Sequence, residues 1–75
     1  MAKRKDPFLR TLGARVRICR EKRRWTQEDL AERSELDRSY IAGIEAGLRN
    51  PSIKAMSKIA RGLGLTLSAL LETVP

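Results

Sequence analysis

Three side chains that can donate hydrogen bonds stand in a row at Arg38, Ser39 and Tyr40. An arginine fork can bond to both O6 and N7 of guanine, a contact worth about 1–3 kcal/mol of discrimination between bases. The chain has no histidine and a single cysteine, Cys19, so it cannot assemble a histidine acid–base catalyst or a Cys/His zinc site. We therefore expect recognition chemistry, with no catalysis, no metal and no cofactor.

The charge balance points to an anionic partner. Sixteen Lys and Arg against nine Asp and Glu give a net charge of +7 on 75 residues, and such an excess favours nucleic acid or an anionic membrane. The three aromatic residues, Phe8, Trp25 and Tyr40, are too few for a platform that stacks single-stranded bases, which favours a duplex. The basic start Lys3-Arg4-Lys5 is not followed by an apolar run, so we expect no membrane segment and a cytosolic location.

Apolar residues recur at spacings of three and four, which predicts an all-α chain of five helices. Residues 1–7 lack this pattern and are predicted to form a flexible basic arm, with one domain over 8–75. Phe8, Leu12, Val16 and Cys19 mark the inner face of the first helix, which makes Cys19 a core thiol. The predicted helices span 8–23, a segment from 27, about 38–46 and about 53–63, followed by a last helix starting at Thr66 or Ser68. Ile53 is the first residue of the apolar stripe of the fourth helix.

Capping residues support these limits. Thr26 precedes the acidic first turn of the second helix, and Asp37 and Ser52 are candidate N-caps of the third and fourth helices. Gly47 and Gly64 follow helices as residues that tolerate the left-handed conformation.

The second and third helices have the spacing of a helix-turn-helix, whose second helix can lie in a major groove about 12 Å wide. Counted from Gln27 as the first position, the apolar residues at four, five, ten, fifteen and eighteen are Leu30, Ala31, Leu36, Ile41 and Ile44. The small Ala31 is expected to let the two helices cross closely.

Four segments in one register resemble the Cro/CI-type (xenobiotic-response-element-like) repressor family over roughly residues 8–72. They are Thr26-Gln27-Glu28-Asp29-Leu30-Ala31, Leu36-Asp37-Arg38-Ser39-Tyr40-Ile41, Ile44-Glu45 and Arg49-Asn50-Pro51-Ser52. The second segment is similar to the controller proteins of restriction-modification systems. The resemblance implies a compact five-helix, lambda-repressor-like domain that binds double-stranded DNA at a palindromic operator as a homodimer and regulates transcription, without a ligand domain.

The resemblance also implies roles for individual residues. Gln27 would bond a phosphate, Arg20 and Glu45 would form an ion pair between the first and third helices, and the residues facing base edges would be Arg38, Ser39, Ala42 and Gly43. Tyr40 can reach a base or a phosphate, and further phosphate contacts are expected from Thr26, Arg49, Asn50 and Lys54. Ala42 and Gly43 carry no polar side chain, so DNA shape should supply part of the specificity.

Two positions depart from the family pattern. Arg24 and Glu35 stand in turns where the family has a left-handed glycine, and each is expected to store about 1 kcal/mol of backbone strain. Glu35 also brings a negative charge beside the third helix. Arg10, Lys22 and Arg23 are expected only to solvate a helical face.

The C-terminal segment is more apolar than so small a core needs. Leu65, Leu67, Leu71 and Val74 are therefore predicted to pair with a second subunit, the alternative being that they close the monomer core. An antitoxin-like module that neutralises a protein partner and binds DNA secondarily is the alternative function. Peripheral membrane binding is disfavoured, because the core needs the apolar stripe of the first helix.

Overall fold

The computed structural model describes residues 6–72, which contain five helices and no β-strand. The helices are α1 (Pro7–Lys22), α2 (Gln27–Ser34), α3 (Arg38–Glu45), α4 (Ile53–Gly62) and α5 (Leu67–Leu71). The predicted all-α, five-helix class is confirmed. Among these residues no helix combines the length and the apolar character needed to cross a membrane.

The first helix starts one residue earlier than predicted. The Asp6 carboxylate accepts the N–H of Phe8 at 2.8 Å, and Pro7 occupies the first turn, where its missing N–H costs nothing. Residues 6 and 7 therefore belong to the helix and its cap, which corrects the predicted arm of residues 1–7. Residues 1–5 of that arm lie outside the described part of the chain.

Thr26 and Asp29 close the start of α2 with a reciprocal pair of bonds. The Thr26 hydroxyl accepts the N–H of Asp29 at 3.0 Å, and the Asp29 carboxylate accepts the N–H of Thr26 at 2.8 Å. Hydrogen bonding with Thr26 lowers the pKa of Asp29. The backbone N–H of Thr26 has the largest effect and the Thr26 side chain the next largest. This cap is therefore intact at neutral pH, and its contribution is lost as the pH falls through the lowered pKa.

The core lies where α3 packs on α1 and α2, α4 packs on α2, and α5 packs on α4 and α1. Its fully buried side chains include Val16, Leu30, Ile41, Ile44, Ile59 and Leu70. Cys19 is buried there as predicted. Phe8 and Ile53, which the periodicity placed on inner faces, are 48% and 77% exposed. Both stand in the first turn of a helix, where the apolar stripe extends past the edge of the core.

At Gly13, which the sequence pattern did not single out, the backbones of α1 and α3 lie close together. A Cβ atom on Gly13 would overlap the backbone carbonyl oxygens of Ile44 and Glu45. Glycine at this position therefore lets α1 lie directly against the end of α3.

Two turn residues adopt the left-handed conformation predicted for them. Arg24 has φ 59° and Glu35 has φ 58°, and neither is glycine. A left-handed conformation costs a residue with a Cβ roughly 1–2 kcal/mol. The turns before and after α2 are therefore strained.

Replacing Glu35 by glycine should raise the free energy of unfolding by about 1 kcal/mol, because the strain is removed. Urea denaturation measures the change. Glu32→Gly is the matched control: it removes the same charge one turn earlier in regular helix, and it should lower stability by about 1 kcal/mol. A loss of stability in both variants would contradict the strain.

Candidate nucleic-acid interface

The inner faces of α2 and α3 pack together across a short turn. The turn consists of the residues between Ser34 and Arg38, and its N–H at Leu36 bonds to the carbonyl of Ala31 at 2.9 Å. Leu36 packs against the core as predicted. On α3, Ile41 and Ile44 are only 0% and 1% exposed. Their burial fixes the orientation of the helix, so its opposite face is directed to solvent.

The outer face of α3 carries the predicted base-contacting residues. Arg38 and Ser39 are exposed, while Tyr40, Ala42 and Gly43 are half-buried. Asp37 occupies the N-cap position, but its side chain makes no capping bond. Asp37 is therefore the N-cap residue, as predicted, but it does not stabilise the helix start through its carboxylate.

Arg49 from the following loop lies across this outer face. Its guanidinium carbon is 5.5 Å from the centre of the Tyr40 ring, within the range of a cation–π contact. A Cβ on Gly43 would fall on the aliphatic part of the Arg49 side chain. The face at Gly43 is therefore covered by Arg49, a contact that the sequence did not indicate.

Arg20 and Glu45 form the predicted ion pair between α1 and α3. Arg20 donates from Nε to Glu45 Oε2 at 2.7 Å and from Nη2 to Oε1 at 2.9 Å, and from Nη1 to the carbonyl of Trp25 at 2.6 Å. The two side chains are 11% and 4% exposed. Gln27 joins the cluster, since its Nε2 donates to Glu45 Oε1 at 3.1 Å.

Acidic side chains flank the outer face of α3. Glu28, Asp29 and Glu32 line a groove together with Arg38, and Glu32 and Glu35 line another with Tyr40 and Arg49. The ion pairs within the described residues do not include Arg38. Its guanidinium therefore keeps its donors for a ligand.

The remaining predicted phosphate contacts are spread over three elements. Thr26 is exposed at the start of α2, Asn50 is exposed in the loop after α3, and Lys54 is exposed in the first turn of α4. The structure brings Arg49 to α3 and Gln27 to Glu45, but it gives no contact that joins Asn50 or Lys54 to that group.

Two arginines have structural contacts that the sequence did not reveal. Arg23, expected to solvate a helical face, donates to the carbonyls of Cys19 at 2.6 Å and Leu63 at 2.7 Å. Arg15 donates to the carbonyls of Leu70 at 3.2 Å and Ala69 at 3.3 Å, tying α1 to α5. The signal available for Arg15 was its position between the inward-facing Leu12 and Val16.

Three of the four predicted dimer residues lie within the described part of the chain. Leu65, Leu67 and Leu71 are half-buried and pack against the core. Val74 lies outside the described residues.

Two short helices, anchored by a buried inner face and joined by a tight turn, define a helix-turn-helix protein. The helix-turn-helix family model matches residues 16–70. The chain belongs to this family, of the Cro/CI type, as its resemblance indicated. The family consists of transcription regulators and controller proteins, which are not enzymes.

The relatives that match the chain include a control protein and a phage repressor. Control protein C.MunI of Mycoplasma is 41% identical over 58 residues, which is 77% of this chain and 78% of the relative. The immunity repressor of Bacillus phage phi105 is 42% identical over 60 residues, which is 80% of this chain but 42% of the relative. The chain thus spans less than half the length of the phage protein.

Solved structures of controller proteins share the fold. One of them is the C.Esp1396I tetramer in complex with its natural 35 base-pair operator. A chain of that complex superposes with a TM-score of 0.84 at 36% identity, covering 92% of this chain and 91% of that one. C.AhdI from Aeromonas hydrophila gives 0.81 at 40% identity, covering 83% and 94%.

Proposed function

We propose that the chain is a sequence-specific transcriptional regulator that binds double-stranded DNA as a homodimer, with α3 in the major groove. The observation that supports it most is the division of α3: Ile41 and Ile44 fix its inner face, while Arg38 and Ser39 are exposed on its outer face. The net charge of +7 supplies attraction to phosphates. Because it would bind DNA in the cytoplasm, the protein is proposed to be located there.

Arg38 is proposed as the main reader of a base, through its fork to guanine. Ser39, Tyr40 and Ala42 lie along the same segment and would face neighbouring base edges. At Gly43 the Arg49 side chain covers the helix, so a base there would meet Arg49. Phosphate contacts come from Thr26, Gln27, Arg49, Asn50 and Lys54, which set the position of the protein on the duplex. With few polar groups to read bases, sequence-dependent DNA shape contributes to specificity.

A two-fold dimer would place two copies of α3 about one helical turn, or roughly 34 Å, apart along the duplex. Leu65, Leu67, Leu71 and Val74 are the proposed pairing residues. The C.Esp1396I relative binds its operator as a tetramer, which supports assembly of this chain on a symmetric operator. Such an operator would contain two half-sites of inverted sequence.

The role of Arg38 is tested with the variant Arg38→Ala, with Lys54→Ala as the matched loss of one positive charge. Arg38→Ala should reduce discrimination at one base pair per half-site by about 1–3 kcal/mol, because the fork is lost. Lys54→Ala should weaken all duplexes about equally and reduce the salt slope of binding by about 1. Affinities for single-base operator variants at several salt concentrations measure both effects; an equal loss on every duplex from Arg38→Ala would refute base reading.

A further inference from the structure

The side-chain amide of Gln27 is hydrogen-bonded to a buried carboxylate. Its Nε2 atom lies 3.1 Å from Oε1 of Glu45. A carboxylate accepts hydrogen bonds and donates none, so the amide must turn its NH2 group, and not its oxygen, toward Glu45. One hydrogen of that NH2 group is used, and the second remains for another acceptor.

The Glu45 side chain is itself buried and electrically balanced. Arg20 bonds to both of its carboxylate oxygens, and only 4% of the Glu45 side chain is exposed. The hydrogen bonding that Arg20 donates to Glu45 raises the pKa of Arg20, so the guanidinium stays charged beside the carboxylate. A phosphate near Gln27 would therefore meet a neutralised pair and not a lone negative charge.

We propose that Glu45 is the positioning residue for the phosphate contact of Gln27. One amide hydrogen of Gln27 stays on Glu45 while the other is donated to a DNA phosphate. Because Glu45 is the last residue of α3 and Gln27 the first of α2, the same carboxylate sets the phosphate contact relative to the helix that reads the bases. This inference rests on the proposed DNA binding.

Pre-ordering of the amide has a measurable consequence. Fixing a flexible side chain before binding avoids the loss of rotamer freedom during binding. A hydrogen bond to a charged group is commonly strong enough to change affinity about tenfold. Gln27→Ala should therefore weaken DNA binding about tenfold, with no change in salt slope, because glutamine carries no charge.

The test removes the anchor without stranding a charge. In the double variant Arg20→Met/Glu45→Met an apolar pair replaces the ion pair, a kind of exchange that often preserves or increases stability, and the net charge does not change. Gln27→Ala is introduced into both the original chain and this background. Circular dichroism checks folding, and DNA affinity is measured for all four proteins on a duplex selected by the original chain.

Positioning predicts strong coupling between the sites. The methionine pair should weaken binding about tenfold, as Gln27→Ala does, and adding Gln27→Ala to it should have little further effect. Full affinity in the methionine pair, or an equal loss from Gln27→Ala in both backgrounds, would overturn the inference while leaving the proposed function standing. If the original chain enriches no duplex at all, the proposed function fails and the inference fails with it.

A second measurement uses the unchanged protein and does not depend on the folding of any variant. The NMR signal of the Gln27 side-chain NH2 is assigned in the unchanged protein through its covalent connection to the Gln27 backbone. Without DNA, its order parameter should approach the value of about 0.85 that is typical of rigid backbone. A value below about 0.6 would show that Glu45 does not hold the amide and would overturn the inference.

Discussion

Replacing Arg20 alone by methionine should lower the free energy of unfolding by about 3–5 kcal/mol, because it leaves a buried carboxylate without its counter-charge. The Glu45 side chain is only 4% exposed, so water cannot take over the role of the guanidinium. Gln27 supplies one neutral hydrogen bond to Glu45, which is not enough to balance a full charge. Urea denaturation followed by circular dichroism measures the loss.

The methionine pair at 20 and 45 is the control for this prediction, since it removes both charges and should recover most of the lost stability.

The pH dependence of this ion pair follows from the pKa of Arg20, which is higher in the folded state than its ordinary value. The contribution of this arginine is therefore fully present below its ordinary pKa and is lost only as the pH rises through the raised value. A loss of less than about 1 kcal/mol in Arg20→Met, the size expected of a surface pair, would contradict the buried arrangement.

Replacing Gly13 by alanine should lower the free energy of unfolding by about 2 kcal/mol. Alanine is the better helix former by about 1 kcal/mol, but its Cβ would overlap backbone carbonyls at the end of α3. Backbone cannot move aside as a flexible side chain can, so we take the upper end of the cost of overpacking, about 3 kcal/mol. Denaturation measures the difference between the two effects.

The neighbouring residue supplies a matched control in the opposite direction. Ala14 is exposed on the same helix, and Ala14→Gly should lower stability by about 1 kcal/mol through helix propensity alone. If helix propensity alone acted, Gly13→Ala would raise the free energy of unfolding and Ala14→Gly would lower it. If Gly13→Ala increased stability, the close contact between α1 and α3 would be disproved.

The sequence was sufficient to predict the elements because their signals are local. Thr26, Ser52 and Thr66 each cap a helix through a side-chain oxygen, and Gly47 and Gly64 have positive φ as expected. The start of α1 was misplaced because the cap at Asp6 preceded the first apolar residue. Exposure of Ile53 was missed because periodicity gives a face but not the extent of the core.

The sequence predicted which side chains of α3 are buried and which are exposed, but not the contacts between side chains that are distant along the chain. The register placed Ile41 and Ile44 inside and Arg38 outside. It gave no sign that Arg49 would cover Gly43 or that Gln27 would bond to Glu45. These contacts depend on the direction of a loop and on side-chain rotamers, which spacing in the sequence does not specify.

Selection of bound sequences from a pool of random duplexes tests the central claim most directly. Binding through paired copies of α3 predicts enrichment of a two-fold symmetric site, with half-sites about one helical turn apart. The same selection with Arg38→Ala should lose the preference for guanine at one position of each half-site. Failure of the original chain to enrich any sequence, with equal binding to all duplexes, would contradict sequence-specific recognition by this helix-turn-helix.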